Sequence, residues 1–284
     1  MLHLGADELS GALEGIQPLD VLAEETAART AQPAHTAEGE GWRLSPWPGG
    51  AAGAPEQVLL EEHRSGIACV LPAAGLRGCR AAVLTRVAAR ELLNPDAGRA
   101  AVLGCGAATD LQLVMIARHL PSIRQVAVCP VQAEHGCPIE QRTLDEIDLA
   151  GVRLTLPPDA AAAVADADLV VVACTAASWP AGVRPRPGAV VVNAANQDLP
   201  DELVDAADEL YVDDLEPAGE ERRRTRRGID ADLNQVRTGE HPGRTSAEHV
   251  VLVELLTADR LDVELARLLY RAAVERGLGN QRLD

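Results

Sequence analysis

Apolar runs alternate with helical patterns through the middle of the chain. From residue 100, AAVLGCG predicts a buried strand that runs into a glycine turn, and ATDLQLVMIARHL predicts the helix that follows. Further Val- and Leu-rich runs alternate with short helical segments as far as ELYVDD, predicted as the last strand. Apolar strands without polar alternation are typical of a parallel sheet covered on both faces. This order predicts an α/β fold with a doubly wound parallel sheet.

The segments before this series have a different pattern. The chain opens with a short strand candidate, MLHL, and Leu9, Leu13 and Ile16 then recur at helical spacing. Residues 31–56 are rich in Pro, Gly, Ala and Glu, which predicts a loop. QVLLEEH and IACVLPA then predict two strands joined by a turn, with a helix after them that ends near Leu93.

Residues 246–276 close the chain with apolar side chains at helical spacing, which predicts one long amphipathic helix. We therefore expect two domains. A sheet domain over 96–245 is inserted in a smaller α+β domain, which is made of 1–95 and 246–284.

The composition of the chain excludes several kinds of reaction and several classes of partner. All 26 basic residues are Arg, so no lysine can form a Schiff base or complete a GxxxxGK[ST] phosphate loop. The formal charge of −17 makes nucleic acid an unsuitable partner. No apolar run approaches the length of a membrane span, and the opening residues do not have the pattern of a signal peptide. The cysteines lie mostly in apolar runs without a CxxC pair, which predicts reduced core residues of a cytoplasmic protein and no metal site.

The glycine turn carries the most specific motif. Gly104, Gly106 and Thr109 form GxGxxT between a strand and a helix, with Ala107 at the start of that helix. Gly104 allows a tight turn, Gly106 lets backbone approach a pyrophosphate, and the helix N-terminus offers N–H groups to that anion. The turn therefore predicts a Rossmann-type domain that binds NAD or NADP. A methyltransferase is the alternative, because LGCG also resembles the glycine turn of that class.

The residue that would choose between the two nucleotides is missing from its usual place. An acid for the ribose hydroxyls is expected about 20 residues after the turn, and an Arg there would suit a 2′-phosphate. Val128, Cys129, Pro130 and Val131 occupy that position. The motif alone leaves the preference between NAD and NADP open.

Several segments, taken in order, resemble the ornithine cyclodeaminase/mu-crystallin family. They are MLHLGADELSGAL, VLLEEHRSGIACVLPAAGLRGCRAAVLTRVAAREL, AVLGCGAAT, DADLVVVACTAAS, RPGAVVVNAANQDLPDELVD and RLLYRAAVERGLG. The resemblance implies a homodimer in which 96–245 is a Rossmann domain for NAD(H) or NADP(H). It also implies that the split domain, 1–95 and 246–284, serves the substrate and dimerisation. It implies hydride exchange at the α-carbon of a small amino or imino acid, by an imine reductase, an amino-acid dehydrogenase or a cyclodeaminase, and we expect a role in specialised biosynthesis.

The same resemblance assigns roles to individual residues. Arg80 matches the arginine that holds the substrate carboxylate, and Asp198 matches the acid that activates water or moves the amine proton. Thr175, Ser178 and Asn193 follow strand ends, where they are expected to contact the cofactor. Each has a plainer alternative: a solvated helix arginine for Arg80, a loop or capping acid for Asp198, and local turn hydrogen bonds for the other three.

This sequence also departs from the family pattern. The family has a lysine beside the substrate carboxylate, whereas this chain has none, and Arg43 is the substitute that we predict. The segment between Trp42 and Val58 is shorter than the family's equivalent, and Leu255-Leu256-Thr257 replaces its usual Ser-Val-Gly. The alternative function is therefore a catalytically degenerate member that binds a nucleotide or small ligand as a carrier, regulator or partner subunit.

Overall fold

The computed structural model describes most of the chain. The described residues are 1–16, 38–39, 41–48, 55–64, 66–129, 139–174, 179–215, 228–256 and 259–281. They fall into two compact units, one made of 1–80 and 258–284 and the other of 81–257. The boundaries expected from the sequence, at 95/96 and 245/246, remain a prediction about how the chain divides into functional domains.

The second unit is built on an eight-stranded sheet whose pairs are all parallel. Its strands, in chain order, are β6 (Arg99–Leu103), β7 (Gln125–Cys129), β8 (Arg153–Thr155), β9 (Leu169–Val172), β10 (Val190–Asn193), β11 (Glu209–Val212), β12 (Ala231–Asp232) and β13 (Val251–Glu254). The spatial order is β12-β11-β13-β10-β9-β6-β7-β8. The predicted α/β fold with a doubly wound parallel sheet is confirmed.

This strand order creates a crevice at one place on the sheet. From β6 the chain builds β7 and then β8 on one side, and β9 pairs with the other side of β6. Leu103 and Val172, the last residues of β6 and β9, are register partners. In sheets of this kind, ligands bind where the connections leave two neighbouring strand ends in opposite directions. The turn after β6 therefore lies at the topological switch point.

Central strands of the larger sheet are buried on both faces. Every residue of β9, β10 and β11 is buried, as their Val- and Leu-rich sequences predict. The helices of this unit are α3 (Ala107–His119), α4 (Gln141–Leu149), α5 (Ala160–Val164), α6 (Asp201–Ala206) and α7 (Leu233–Thr238). At the amino ends of the strands, Asp168 accepts hydrogen bonds from the N–H groups of Gly98 and Arg99, at 2.8 and 2.9 Å. These bonds connect the start of β9 to the start of β6.

The first unit contains a mixed six-stranded sheet in the order β14-β1-β5-β4-β3-β2. Its strands are β1 (Leu2–His3), β2 (Glu38–Gly39), β3 (Trp42–Pro46), β4 (Gln57–Glu62), β5 (Gly66–Pro72) and β14 (Asn280–Gln281). Helices α1 (Ala6–Leu13) and α8 (Asp259–Glu275) pack together. The ring centroid of the buried Trp42 lies 5.8 Å from that of Tyr270 in α8. The remaining helix, α2 (Ala73–Leu92), contains the division between the units at 80/81.

Three predictions about secondary structure are wrong. The loop predicted over 31–56 contains β2 and β3, because β4 supplies backbone partners to a Pro- and Trp-rich segment with little strand pattern. The helix predicted over 246–276 begins at Asp259, since residues 251–254 are a strand. ELYVDD does not contain the last strand, because β12, β13 and β14 follow it.

The error at β13 has a simple physical origin. Val250, Val253 and Leu256 fit helical spacing, yet VVLV is also a short β-branched run that periodicity cannot separate from a buried strand. In the structure β13 lies between β10 and β11, where backbone on both sides bonds to it. Across the described ranges, no helix combines the length and the hydrophobicity that a membrane span requires.

Candidate functional site

Gly104 is the first residue after β6, and it lies where no side chain fits. Its φ is +151°, and a Cβ built on it would lie 2.9 Å from Thr109 Oγ1, 3.2 Å from the Cys174 nitrogen and 3.3 Å from the Ala173 Cβ. Glycine therefore lets the β6 end, the first turn of α3 and the chain after β9 approach closely. Gly104 was predicted for this turn, and its surroundings agree with that interpretation.

Gly106 has the opposite environment. Its φ is +75°, and a Cβ added there would meet nothing within 4 Å. It is the N-cap of α3, a helix of 13 residues, and has no side-chain cap. The first N–H groups of a helix lack intrahelical acceptors and carry partial positive charge. Backbone at Gly106 and the exposed Ala107 thus faces open space in front of a helix N-terminus, an arrangement that fits a pyrophosphate group.

Two polar side chains of the first turn of α3 are buried. Thr109 Oγ1 is buried without a hydrogen-bond partner among the described residues, and it lies where a Cβ on Gly104 would meet it. Asp110 accepts a hydrogen bond of 3.1 Å from the N–H of Glu140, the N-cap of α4. Burial raises the pKa of Asp110, and hydrogen bonds from Thr143 and Glu140 oppose that rise. This helix end is therefore held to the segment that begins α4.

Asn193 ends β10 on the same edge of the sheet. Its side chain is fully buried, and Nδ2 donates to the Gln197 carbonyl at 2.7 Å and to Glu254 Oε2 at 2.6 Å. Both amide hydrogens are thereby used within the protein. Asn193 connects the ends of β10 and β13 and shapes the turn up to Gln197. Its direct contact with a cofactor stays a prediction.

Asp198 comes directly after that turn. It lies between β10 and α6, and its side chain is exposed. Asn196, just before it, has a φ of +48°, a left-handed conformation that Asn tolerates better than most residues. The carboxylate of Asp198 thus sits in a loop at the carboxyl edge of the sheet, where such folds bind their ligands. Thr175 and Ser178, the other residues predicted for this edge, lie outside the described residues.

Arg80 belongs to the first unit and is buried, with 5% of its surface exposed. Its Nε and Nη1 have no hydrogen-bond acceptor among the described residues. Nε lies 3.6 Å from Oδ1 of Asp262 in α8, which makes an ion pair too long for a hydrogen bond. A buried guanidinium is costly without acceptors, and a carboxylate ligand would supply them. The role of Arg80 in holding the substrate carboxylate stays a prediction. The solvated arginine considered as the alternative does not match this burial.

Arg43 has a different environment. It lies on β3 with its side chain 51% exposed, and its Nη2 donates to Glu61 Oε2 on β4 at 2.7 Å. Arg43 and Arg80 are thus paired with different carboxylates. Its role as a substitute for the absent lysine stays a prediction.

Comparison with known proteins agrees with this arrangement. The chain matches the ornithine cyclodeaminase/mu-crystallin family over residues 53–277. The chain belongs to this family. The match includes the glycine turn, Arg80, Asn193 and Asp198, and it confirms the family resemblance seen in the sequence.

Individual members of the family are distant. N-((2S)-2-amino-2-carboxyethyl)-L-glutamate dehydrogenase of Staphylococcus aureus is 23% identical over 222 residues, which cover 74% of this chain and 65% of that enzyme. The chain therefore spans slightly less than two thirds of that relative.

Two solved structures share the fold. An archaeal alanine dehydrogenase dimer with bound NAD has a TM-score of 0.67 at 20% identity and covers 100% of this chain and 99% of its own. The Δ1-pyrroline-2-carboxylate reductase of Thermococcus litoralis, solved with NADH and L-proline, has a TM-score of 0.68 at 18% identity, covering 99% and 100%.

Three acidic residues of the structure were not predicted from the sequence as candidate site residues. Asp262 pairs with Arg80, Glu254 accepts from Asn193, and Asp159 is the N-cap of α5. Glu254 had a recognisable signal, because VVLVE repeats the apolar-run-then-polar pattern of VVVN at β10. Asp159 had one too, since an Asp directly before an alanine run is a typical N-cap. Asp262 had none, because the fold brings Arg80 to it.

Proposed function

We propose that this protein is an NAD(P)-dependent enzyme that exchanges a hydride with the α-carbon of a small amino or imino acid. The reaction is that of an imine reductase, an amino-acid dehydrogenase or a cyclodeaminase. We further propose that it works as a cytoplasmic homodimer in specialised biosynthesis. The archaeal alanine dehydrogenase, described as a dimer with bound NAD, supports the dimer and cofactor assignments.

The observation that carries the proposal is the open glycine turn after β6. Gly104 is packed against its neighbours, while Gly106 faces open space at the N-terminus of a 13-residue helix. This turn also lies at the switch point of the sheet, where dinucleotides bind in doubly wound folds. A bound nicotinamide nucleotide would supply or accept the hydride.

Arg80 supports the choice of an amino or imino acid as substrate. Its buried guanidinium offers Nε and Nη1, and a substrate carboxylate would supply acceptors to both. Holding the carboxylate would fix the orientation of the neighbouring α-carbon. The Thermococcus litoralis reductase, solved with L-proline, is a relative whose ligand has this chemistry.

Asp198 would move the proton. An exposed carboxylate at the carboxyl edge of the sheet can accept a proton from a substrate amine or from water, and it can return that proton in the reverse direction. The Asn193–Gln197 hydrogen bond shapes the turn that precedes it. The role of Asn193 would therefore be to position Asp198.

The test of this function is hydride transfer by the purified full chain. NADH or NADPH oxidation is followed with Δ1-pyrroline-2-carboxylate and with small 2-keto acids plus ammonia, and nucleotide reduction with amino acids. Ammonia release from diamino acids in the presence of NAD or NADP detects a cyclodeaminase, whose cycle leaves no net change in the nucleotide. We expect turnover with one member of this panel.

Arg80→Gln should raise KM by about tenfold or more through loss of the carboxylate contacts, while Arg77→Gln, an exposed neighbour on the same helix, should not.

Asp198→Asn should lower kcat by about a hundredfold or more and leave nucleotide affinity unchanged, because it removes the proton acceptor alone. Asp205→Asn, an exposed acid on α6, is the matched control. Full activity of Asp198→Asn would overturn the proton-transfer assignment. Failure of the wild-type protein to bind either nucleotide would overturn the proposed function.

The absence of lysine favours a second candidate, a member that binds a nucleotide or small ligand without turnover. The family resemblance implies a lysine beside the substrate carboxylate, and Arg43, its predicted substitute, is already paired with Glu61. Saturable nucleotide binding, together with no hydride transfer across the substrate panel and no ammonia release from diamino acids, would identify this second function.

A further inference from the structure

The end of β7 is where a doubly wound fold usually places the acid that binds the adenosine ribose. In this chain Cys129 ends β7, and residues 130–138 contain neither Arg nor Lys. The segment that follows the strand therefore offers no Arg or Lys to a 2′-phosphate. The usual signal for NAD, an acid at the strand end itself, is missing as well.

The neighbouring strand brings an acid to the same edge. β8 is parallel to β7, with Ala127 opposite Thr155, so both strands end at the same side of the sheet. The chain continues from β8 to α5, and Asp159 is the N-cap of that helix. Ala160, the next residue, and Ala127 of β7 both pack against the core cluster that contains Cys129, and α5 contacts β7. Asp159 therefore begins a helix that packs beside β7.

The Asp159 side chain remains accessible to a ligand. It is exposed, and its Oδ1 accepts a hydrogen bond of 2.8 Å from the N–H of Ala162. A carboxylate has further acceptor capacity on both oxygens. Burial raises the pKa of the Cys129 thiol, and the Asp159 charge raises it further, which agrees with a carboxylate close to the end of β7.

We propose that Asp159 is the residue that selects NAD(H) over NADP(H), by accepting a hydrogen bond from the ribose 2′-hydroxyl of NAD(H). In this chain the acid is the N-cap of α5, the helix that follows β8. In the usual arrangement it stands at the end of the strand that corresponds to β7. The inference rests on the proposed function, because it requires the glycine turn to bind a dinucleotide.

The physical basis is the charge at the 2′ position. A carboxylate accepts a hydrogen bond from a hydroxyl, and such charge-assisted bonds are stronger than neutral ones. The same carboxylate repels a phosphate that carries close to two negative charges, and no Arg or Lys lies in the segment after β7 to offset that repulsion. Both effects lower the affinity for NADPH relative to that for NADH.

The experiment measures dissociation constants for NADH and NADPH by calorimetric titration of the nucleotide-free full chain. The test variants are Asp159→Ser and Asp159→Asn, because both residues keep the N-cap of α5 and remove the charge. The control is Asp166→Asn, which removes an equally exposed charge beyond the other end of α5, where Asp166 pairs with Arg99 at 3.6 Å. Thermal melting of each variant checks its fold.

In the wild-type protein we expect NADH to bind at least about tenfold more tightly than NADPH. In Asp159→Ser and Asp159→Asn the ratio should fall by about fivefold or more, through weaker NADH and tighter NADPH binding, while Asp166→Asn keeps it. An unchanged ratio in well-folded variants, or a wild-type preference for NADPH, would overturn the role of Asp159 and leave dinucleotide binding intact. Binding of neither nucleotide would overturn both proposals together.

Discussion

At the scale of single residues, the two glycines of the GxGxxT turn, Gly104 and Gly106, are required for different physical reasons. A Cβ on Gly104 would meet side-chain and backbone atoms at 2.9 to 3.3 Å, so packing requires glycine there. A Cβ on Gly106 would meet nothing within 4 Å, so its φ of +75° favours glycine there and packing does not require it. The open space in front of α3 is where we propose that the pyrophosphate binds.

This difference leads to a prediction. Gly104→Ala should lower the free energy of unfolding by about 1 to 3 kcal/mol, through overpacking and backbone strain. Gly106→Ala should lose stability through backbone strain alone, since its φ of +75° and ψ of −166° suit glycine, and it should lower NADH affinity by about tenfold or more, because the methyl group enters the proposed pyrophosphate space. The measurements are denaturant unfolding and calorimetric titration.

Gly151→Ala provides the control for backbone strain, since Gly151 has a φ of +67° and also meets nothing within 4 Å. It lies between α4 and β8, at the edge of the sheet away from the glycine turn. We expect its stability loss to match that of Gly106→Ala while its nucleotide affinity stays at the wild-type value. Wild-type affinity in Gly106→Ala would refute the assignment of the turn.

At the scale of elements, Glu209 joins the start of β11 to the segment that leads into β13. Its Oε1 accepts hydrogen bonds from the Thr245 N–H at 2.8 Å and from His249 Nδ1 at 2.7 Å, and its Oε2 accepts one of 2.8 Å from the Tyr211 hydroxyl. Burial alone would raise the pKa of this carboxyl, but the hydrogen bonds outweigh it and lower the pKa to about 2.

The lowered pKa predicts how stability depends on pH. The ionised carboxylate stabilises the folded state above the ordinary pKa of glutamate, near 4.5, and this contribution is lost as the pH falls towards 2. It amounts to about 2 to 3 kcal/mol at neutral pH. Glu209→Gln should therefore lose about that much at pH 7 and show a shallower loss of stability between about pH 5 and pH 2.

The exposed Glu248, in the segment before β13, provides the comparison, and Glu248→Gln should keep the wild-type pH profile. Chemical denaturation at a series of pH values measures both variants. Equal acid sensitivity of Glu209→Gln and the wild-type protein would mean that other carboxyl groups cause the acid unfolding.

At the scale of the whole molecule, the dominant property is the formal charge of −17. Repulsion among these charges destabilises the compact state, and salt screens it. We predict that the melting temperature at pH 7 rises by about 2 to 4 °C between low ionic strength and about 0.5 M NaCl. A fall over the same range would show that local ion pairs, such as that of Arg118 with Glu146 at 2.6 Å, outweigh the net repulsion.

Much of the fold could be predicted because its signals are local. The Val- and Leu-rich strands β9, β10 and β11 are buried throughout, β6 is buried after its first residue, and the glycines after β6 mark the turn. The strand β3 and the strand β13 could not be predicted, since the first depends on pairing with β4 and the second on a place between two other strands. Hydrophobic periodicity indicates which face of a strand is buried, but it does not identify the strand that will pair with it.

The sequence by itself determined the family, the doubly wound sheet and the glycine turn, because each depends on residues that are neighbours along the chain. The tertiary structure decided the chemistry around them. It buried Arg80 and brought Asp262 of α8 to it, joined Asn193 to Glu254, and placed Asp159 beside the end of β7. These contacts join residues that are far apart in sequence, and the burial that gives each charge its effect exists only after the chain has folded.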